Sequence, residues 1–184
     1  MRKIAFVFFF LFYCFFYSQN LEVSDEEVYE AINFIIKKRS EKSIKEIKII
    51  TEDPNVKGDF KYYDDKILKE FFNVKDLKVI KDQYTTINDF VLNPKYIFNL
   101  RIIHKKELLS YSSSNNSFWT EFNKKHGNVA FMFVGKPLFT LDKKRVIINY
   151  GYYCGGLCGW GERVILKKVK NIWIIEKVVS GFIS

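Results

Sequence analysis

"NVAFMFVGKPLFTLDKKRVIINYGYYCGGLCGWGERVILKKVKNIWIIEKVV", residues 128–179, is the stretch that decides the fold. Its apolar residues do not recur at helical spacing. They come in short blocks rich in Val, Ile, Phe and Tyr, near 129–134, 145–153, 162–169 and 172–179, and each block reads as a strand. Side chains alternate along a strand, so Val146, Ile148 and Tyr150 are predicted to share one face. The connections around "LDKK" and "VKN" are too short for crossovers, which makes the strands antiparallel neighbours.

Upstream the period is helical. In "SDEEVYEAINFIIKKRS" Ser24 and Glu27 have capping-box spacing, acids open the first turn and Lys37, Lys38 and Arg39 close the last. Val28, Ile32, Ile35 and Ile36 fall on one face. "DDKILKEFF" and "VKDLKVIKDQ" read as two short helices, the second capped by Asn73 with Asp76 three residues on. "SIKEIKII" fits either a helix or a strand. "SFWTEFNKKHG" reads as a helix that Ser117 or Asn116 begins and Gly127 ends, with an aromatic face of Phe118, Trp119 and Phe122 and a Glu121/Lys125 pair. After Pro94, "KYIFNLRIIHK" reads as a strand with Tyr96, Phe98, Leu100 and Ile102 on one face. Helices first and hairpins last predict an α+β class, with N-terminal helices packed on a C-terminal antiparallel sheet of four to five strands. The same order fits an NTF2-like cone, in which helices cover a curved sheet around a pocket; that analogy carries no function.

The opening residues are set apart from the fold. Arg2 and Lys3 precede an uncharged apolar run, Ile4 to Tyr17, which fits the roughly 7–15 residues of a secretory core and falls short of the about 20 that span a bilayer. Residues 1–19 are therefore expected to be a signal peptide, and 20–184 a single domain with no transmembrane span. The alternative is an anchor formed by an uncleaved N-terminal segment. Cys14 sits inside the apolar run behind Tyr13, where a lipoprotein signal needs a small residue. The formal net charge is +9, spread over scattered lysines. This implies a solvated basic surface or attraction to an anionic envelope surface, and export makes nucleic acid an unsuitable partner.

"CGGLCGWG", Cys154 to Gly161, is the densest chemistry in the chain. A thiol-protease reading fails on spacing, and both His104 and His126 lie upstream of the cysteines. A redox motif would be C-x-x-C opening a helix, whereas this is C-x-x-x-C between strands. A Cys₂His₂ zinc site would need the two histidines much closer in sequence. The fourth reading is a stapled turn, a disulfide between Cys154 and Cys158 at a hairpin tip that presents Tyr152, Tyr153, Leu157 and Trp160. Those aromatics either cover the end of the core or contact a partner. Glu162 is the carboxylate next to the loop. No nucleotide fingerprint is present, and no cofactor or metal is expected.

The C-terminal part, residues 117–184, resembles the ends of small exported proteins of Bacteroidetes. The resemblance rests on Trp119 in a helix, "KPLF" at Lys136 to Phe139, "YCGGLCG" at Tyr153 to Gly159, "WII" at Trp173 to Ile175, and the terminal Ile183 and Ser184. It implies export and a C-terminal hairpin unit, and brings no catalytic residues with it.

The expectation is an exported non-enzymatic domain that binds a ligand or envelope partner, a carbohydrate or a protein, through loop 152–161. The alternative is an NTF2-like ligand-pocket protein or a hydrolase. N-terminal sequencing of protein recovered from the envelope or medium is expected to begin near residue 20; a chain that still starts at Met1 in the membrane would instead establish the anchor.

Overall fold

The computed structural model describes residues 21–40, 47–54, 65–113 and 117–183. The predicted signal peptide, 1–19, lies outside the described residues, as does Ser184. The described elements are α1 (Asp25–Ser40), β1 (Ile47–Glu52), α2 (Asp65–Phe71), α3 (Val74–Thr85), β2 (Arg101–Ile102), α4 (Lys105–Ser110), α5 (Phe118–His126), β3 (Ala130–Val134), β4 (Leu138–Phe139), β5 (Arg145–Gly155), β6 (Cys158–Val169) and β7 (Ile172–Ile183). The class is α+β.

The strands form one seven-stranded mixed sheet in the order β2-β1-β3-β5-β6-β7, with β4 also paired to β5. The C-terminal strands are antiparallel, as their short connections require. The β6–β7 link turns through Lys170 and Asn171, both at positive φ (48° and 62°), the backbone of a tight two-residue hairpin. The sheet exceeds the expected four to five antiparallel strands because β1 and β2 join it in parallel: β1 pairs with both β2 and β3 in that sense. Of "SIKEIKII", residues 47–50 begin the strand β1 and 43–46 lie outside the described residues; Ile49 and Ile50 are both buried, on opposite faces.

Helices cover both faces. On one, Tyr29, Ile32 and Ile35 of α1 pack on Ile50, Met132, Val146, Ile148, Val164 and Leu166. Ile147 and Ile165 point the other way, against Leu68, Phe72 and Ile80 of the α2–α3 region. Further along that second face, Ile49 and Phe131 meet Leu108 of α4 and Phe122 of α5. Val146, Ile148 and Tyr150 do share a face. This two-sided cover does not establish the NTF2-like build.

Local signals act as their chemistry dictates. Ser24 and Glu27 exchange capping-box bonds of 3.0 and 3.3 Å. Asn73 Oδ1 accepts from Asp76 N at 2.9 Å, and Ser117 Oγ from Thr120 N at 3.2 Å. Gly127 follows α5 at φ 80° and donates to Asn123 O at 2.8 Å. The strand expected after Pro94 is a correction. Asn93 caps a 3₁₀ turn, Pro94–Tyr96, and Asn99 adopts φ 64°, so only Arg101–Ile102 pair as a strand. The expected shared face breaks up: Tyr96 stacks on Tyr29 at 4.8 Å while Phe98 is 71% exposed.

Across the middle of the second face, two glycines make room for rings. Gly151 and Gly161 face each other on β5 and β6. A Cβ at Gly151 would lie 2.5 Å from Phe133 Cζ and collide with the Trp160 carbonyl oxygen; one at Gly161 would lie 2.5 Å from Phe182 Cε1. Gly151→Ala meets backbone, which cannot yield, and is expected to cost about 3 kcal/mol or more, the upper end for overpacking. Gly161→Ala meets the ends of the Phe182 and Phe133 rings, not backbone, and is expected to cost about 1–2 kcal/mol. Urea melts of the two variants check the order; equal or negligible losses would mean that the rings do not need this space.

Candidate functional site

The hairpin β5–β6 carries the cysteine motif at its tip. Cys154 and Cys158 are joined by a disulfide, with Cα atoms 5.1 Å apart. The motif thus forms the stapled turn. The sulfurs are bonded to each other, and the histidines lie elsewhere, His104 on Glu52 and His126 on Arg101 and Tyr111. Among the described residues no three His, Cys, Asp or Glu side chains converge as a metal set. Gly155 stands at φ 153°, a value that L side chains avoid, where the strand turns into the tip.

The four side chains expected on this loop do not form one surface. Tyr152 and Trp160 sit opposite each other across the hairpin and stack at 6.2 Å on the α1 face, where Tyr150 meets Trp160 edge-on at 5.5 Å. Trp160 packs against the core there. Leu157 projects from the tip and is 95% exposed. Tyr153 alternates to the other face and joins Phe131 at 5.6 Å and Phe133 at 5.4 Å. Glu162 accepts the Tyr150 hydroxyl at 3.0 Å.

Tyr153 leads to a pocket of about 280 Å³ that spacing alone could not assemble. Leu108 and Leu109 come from α4, Phe118 and Trp119 from α5, Phe131 from β3, and Gly155 and Gly156 from the stapled tip. Phe118 meets Trp119 edge-on at 5.2 Å, and Trp119 lies 5.8 Å from Phe131. The tip is close enough that a Cβ on Gly156 would lie 3.7 Å from Trp119 Cδ1. The helical aromatics are legible as one face of α5; the contributions of α4 and Pro54 carry no sequence signal.

Two polar assemblies hold the pocket's helices. Glu52, at the buried end of β1, accepts from Leu92 N at 2.8 Å, Lys105 N at 2.6 Å and His104 Nδ1 at 2.8 Å. Burial pushes its pKa up, but His104 and the two backbone N–H groups outweigh this, and the carboxyl lies below its ordinary range. The first turn of α4 is thereby pinned to β1. The second assembly joins α4 to α5. Arg101 donates to His126 Nδ1 at 2.7 Å, which puts the ring proton on Nε2, 2.8 Å from the Tyr111 oxygen. Tyr111 and Lys125 both donate to Glu107 Oε1, at 2.7 and 2.8 Å. Lys125 therefore pairs with Glu107 across the helices, not within α5 as its spacing from Glu121 suggests.

The His126 side chain is 4% exposed. Burial, and then the Arg101 guanidinium, hold its pKa below the ordinary 6.5, against the opposing pull of Glu107. The native ring thus binds a proton less readily than the unfolded one. Its neutral form carries no penalty above about pH 6.5, and stability falls as pH drops from there through the lowered native value. Thermal melts between pH 7.5 and about 5, above the range where carboxylates titrate, are expected to show this fall, and His126→Gln to flatten it. An unchanged slope in His126→Gln would remove the histidine from the account.

The chain matches no family model, no curated protein and no solved structure.

Proposed function

We propose that this chain is an exported, non-enzymatic α+β domain that binds a small, ring-bearing ligand in the pocket beneath its disulfide-stapled hairpin tip. One observation carries the reading: the stapled tip is a wall of an aromatic-lined pocket of about 280 Å³, near the lower end of ligand-site volumes. Rings and glycine backbone dominate the lining, and its polar side-chain groups among the described residues are the hydroxyls of Ser112 and Tyr153 and the indole N–H of Trp119. Such a wall supplies flat apolar contact with a little hydrogen bonding. The alternative, an NTF2-like ligand-pocket protein or a hydrolase, has the same pocket in its favour; the lining supports binding over acid–base chemistry.

The loop reading is thereby revised. Tyr153 and the tip glycines face the ligand, Trp160 serves the core with Tyr152 stacked on it, and Leu157 lies outside the pocket. Export and the basic surface supply the setting, an envelope compartment where the staple stays oxidised.

The probe for a test is 1-anilinonaphthalene-8-sulfonate, a fused-ring anion that reports apolar pockets by fluorescence. Saturable binding at one site is expected. Trp119→Ala should weaken it about tenfold, the equivalent of roughly 1.4 kcal/mol. Replacing both cysteines, Cys154→Ser with Cys158→Ser, should weaken it by a similar factor. It should cost only about 2 kcal/mol of stability, the chain-entropy value for so short a ring. Binding that is indifferent to Trp119 and to the staple would defeat the proposal.

A further inference from the structure

β7 is twelve residues long and ends the sheet: among the described residues β6 is its one strand neighbour. The opposite edge of the sheet is β2, two residues long. An edge strand turns a row of backbone N–H and C=O groups outward, a template for another strand. Charge does little to guard this one. Glu176 is held by Arg145 at 2.7 Å and by Lys167 at 3.3 Å, which leaves Lys177 as the strand's other charged side chain. Ile172, Ile174, Ile175, Val178, Phe182 and Ile183 are between 38% and 86% exposed.

The strand carries two bulges. Val164 pairs with Val178 and Arg163 with Ser180, so Val179 is an extra residue. Ile165 pairs with Lys177 and Leu166 with Ile175, so Glu176 is another. Directly opposed residues share a face. Ile175 and Val178 therefore stand on the α1 face with Leu166 and Val164, as do Trp173, Gly181 and Ile183. Ile174, Lys177, Ser180 and Phe182 stand on the second face. Both extra residues join them there, Glu176 through Arg145 and Lys167, and Val179 against the α2–α3 cluster. The order of faces is thus the same in both directions from Val178. Lys177, Glu176, Ile175, Ile174 and Trp173 run second, second, α1, second, α1, and so do Val179, Ser180, Gly181, Phe182 and Ile183.

We propose that β7 is a dimer interface, and that its occupant is β7 of a second copy, antiparallel and centred on Val178. In that register every residue meets one of the same face. Ile174 meets Phe182 of the second copy, Trp173 meets Ile183 of the second copy, and the bulges of the two strands lie side by side. An unbulged strand would fall onto the wrong faces beyond the first bulge, since a one-residue slip reverses every side chain. The bulges thus turn away arbitrary strands and suit this one. Glu176 faces Ser180 and Lys177 faces Val179, so no charge lies directly opposite its like. The two Lys177 are diagonal neighbours across the axis, and their long stems let the ammonium groups part into solvent. The paired edge is about 40 Å long. Covering its apolar side chains removes on the order of several hundred Å² per copy, the scale of the about 800 Å² that each partner gives to a standard interface. With the opposite edge only two residues long, pairing closes at two copies.

Sedimentation velocity on protein recovered from the envelope or medium tests it, over about 1–200 µM, the range of modest affinities. A reversible monomer–dimer equilibrium is expected. Val178→Lys sets ammonium opposite ammonium on the axis and should weaken dimerisation about tenfold or more. Ile174→Lys should weaken it about tenfold, and adding Phe182→Glu should restore most of that loss, since the new charges meet across the interface. Val178→Cys should cross-link under diamide, because opposed residues have Cα atoms about 4.5–5.5 Å apart, within disulfide reach. Ile172→Cys, near the far ends of the paired strands, should not. No β7 residue lines the aromatic pocket, so Trp119→Ala should leave the dimer unchanged and the two sites fail or survive separately. A protein that stays monomeric overturns the proposal, as does association insensitive to both lysine variants, growth beyond two copies, or equal cross-linking by the two cysteine variants. If Val178→Lys does not fold, Ile174→Lys decides.

Discussion

Burial of β5 and β6 on both faces is the constraint from which the rest follows. Val146, Ile147 and Ile148 are consecutive and all buried, as are Val164, Ile165 and Leu166 facing them. Consecutive strand residues point to opposite faces, so neither face of this ladder can be left to water. On the first face α1 lays Tyr29, Ile32 and Ile35 on the sheet, and Leu92 and Ile97 pack in beside them. The second face is shared by two separate helical groups, with Ile147 and Ile165 under one and Ile49 and Phe131 under the other.

Between those groups no helix covers the sheet among the described residues, and the gap is filled from within. Gly151 and Gly161 lower the floor, and Phe133 and Phe182 lie on it. Tyr153 continues the same ridge, 5.4 Å from Phe133. The ridge separates two recesses of different chemistry, one walled by aromatic rings toward α4 and α5 and one with charged side chains toward Arg163. Both begin at the end of β1, where Asp53 lines one and Pro54 the other. Immediately before them, Glu52 secures the same end by holding Leu92, His104 and Lys105 together. Removing that carboxylate would leave the buried N–H of Leu92 and the half-buried N–H of Lys105 without this acceptor and release the start of α4.

The sequence made the antiparallel half plain because its signals are local. Alternation, short connections and the cysteine spacing each act within a few residues, and the caps at Ser24, Asn73 and Ser117 do so as well. What it concealed is what depends on distant partners. β1 is six residues whose parallel neighbours come from far along the chain, so nothing nearby marks "IKIITE" as central. The segment after Pro94 alternates convincingly, yet Tyr96 is captured by Tyr29 and Asn99 breaks the run, an override of local pattern by tertiary contact. The stapled loop was legible as a staple, but its aromatics were assigned together because they are adjacent. Alternation across the hairpin sends Tyr152 and Trp160 to one face and Tyr153 to the other. The pocket needed α4 and Phe131, and the charged recess needed Asp53, about a hundred residues before Asn149 and Arg163.

The same geometry explains why a short disulfide can matter where a large core already exists. Its ring is too small to change the stability of a sheet buried on both faces by more than about 2 kcal/mol. Its reach is local: it fixes the two ends of a turn made of Gly155, Gly156 and Leu157, residues with little side-chain packing of their own. Two of those residues are also pocket wall. Without the bond, the conformational freedom of two glycines would be available to the wall, and a ligand would have to order it on binding. With the bond, that ordering is already done. The staple therefore acts on the preorganisation of one recess and leaves the other outside its influence.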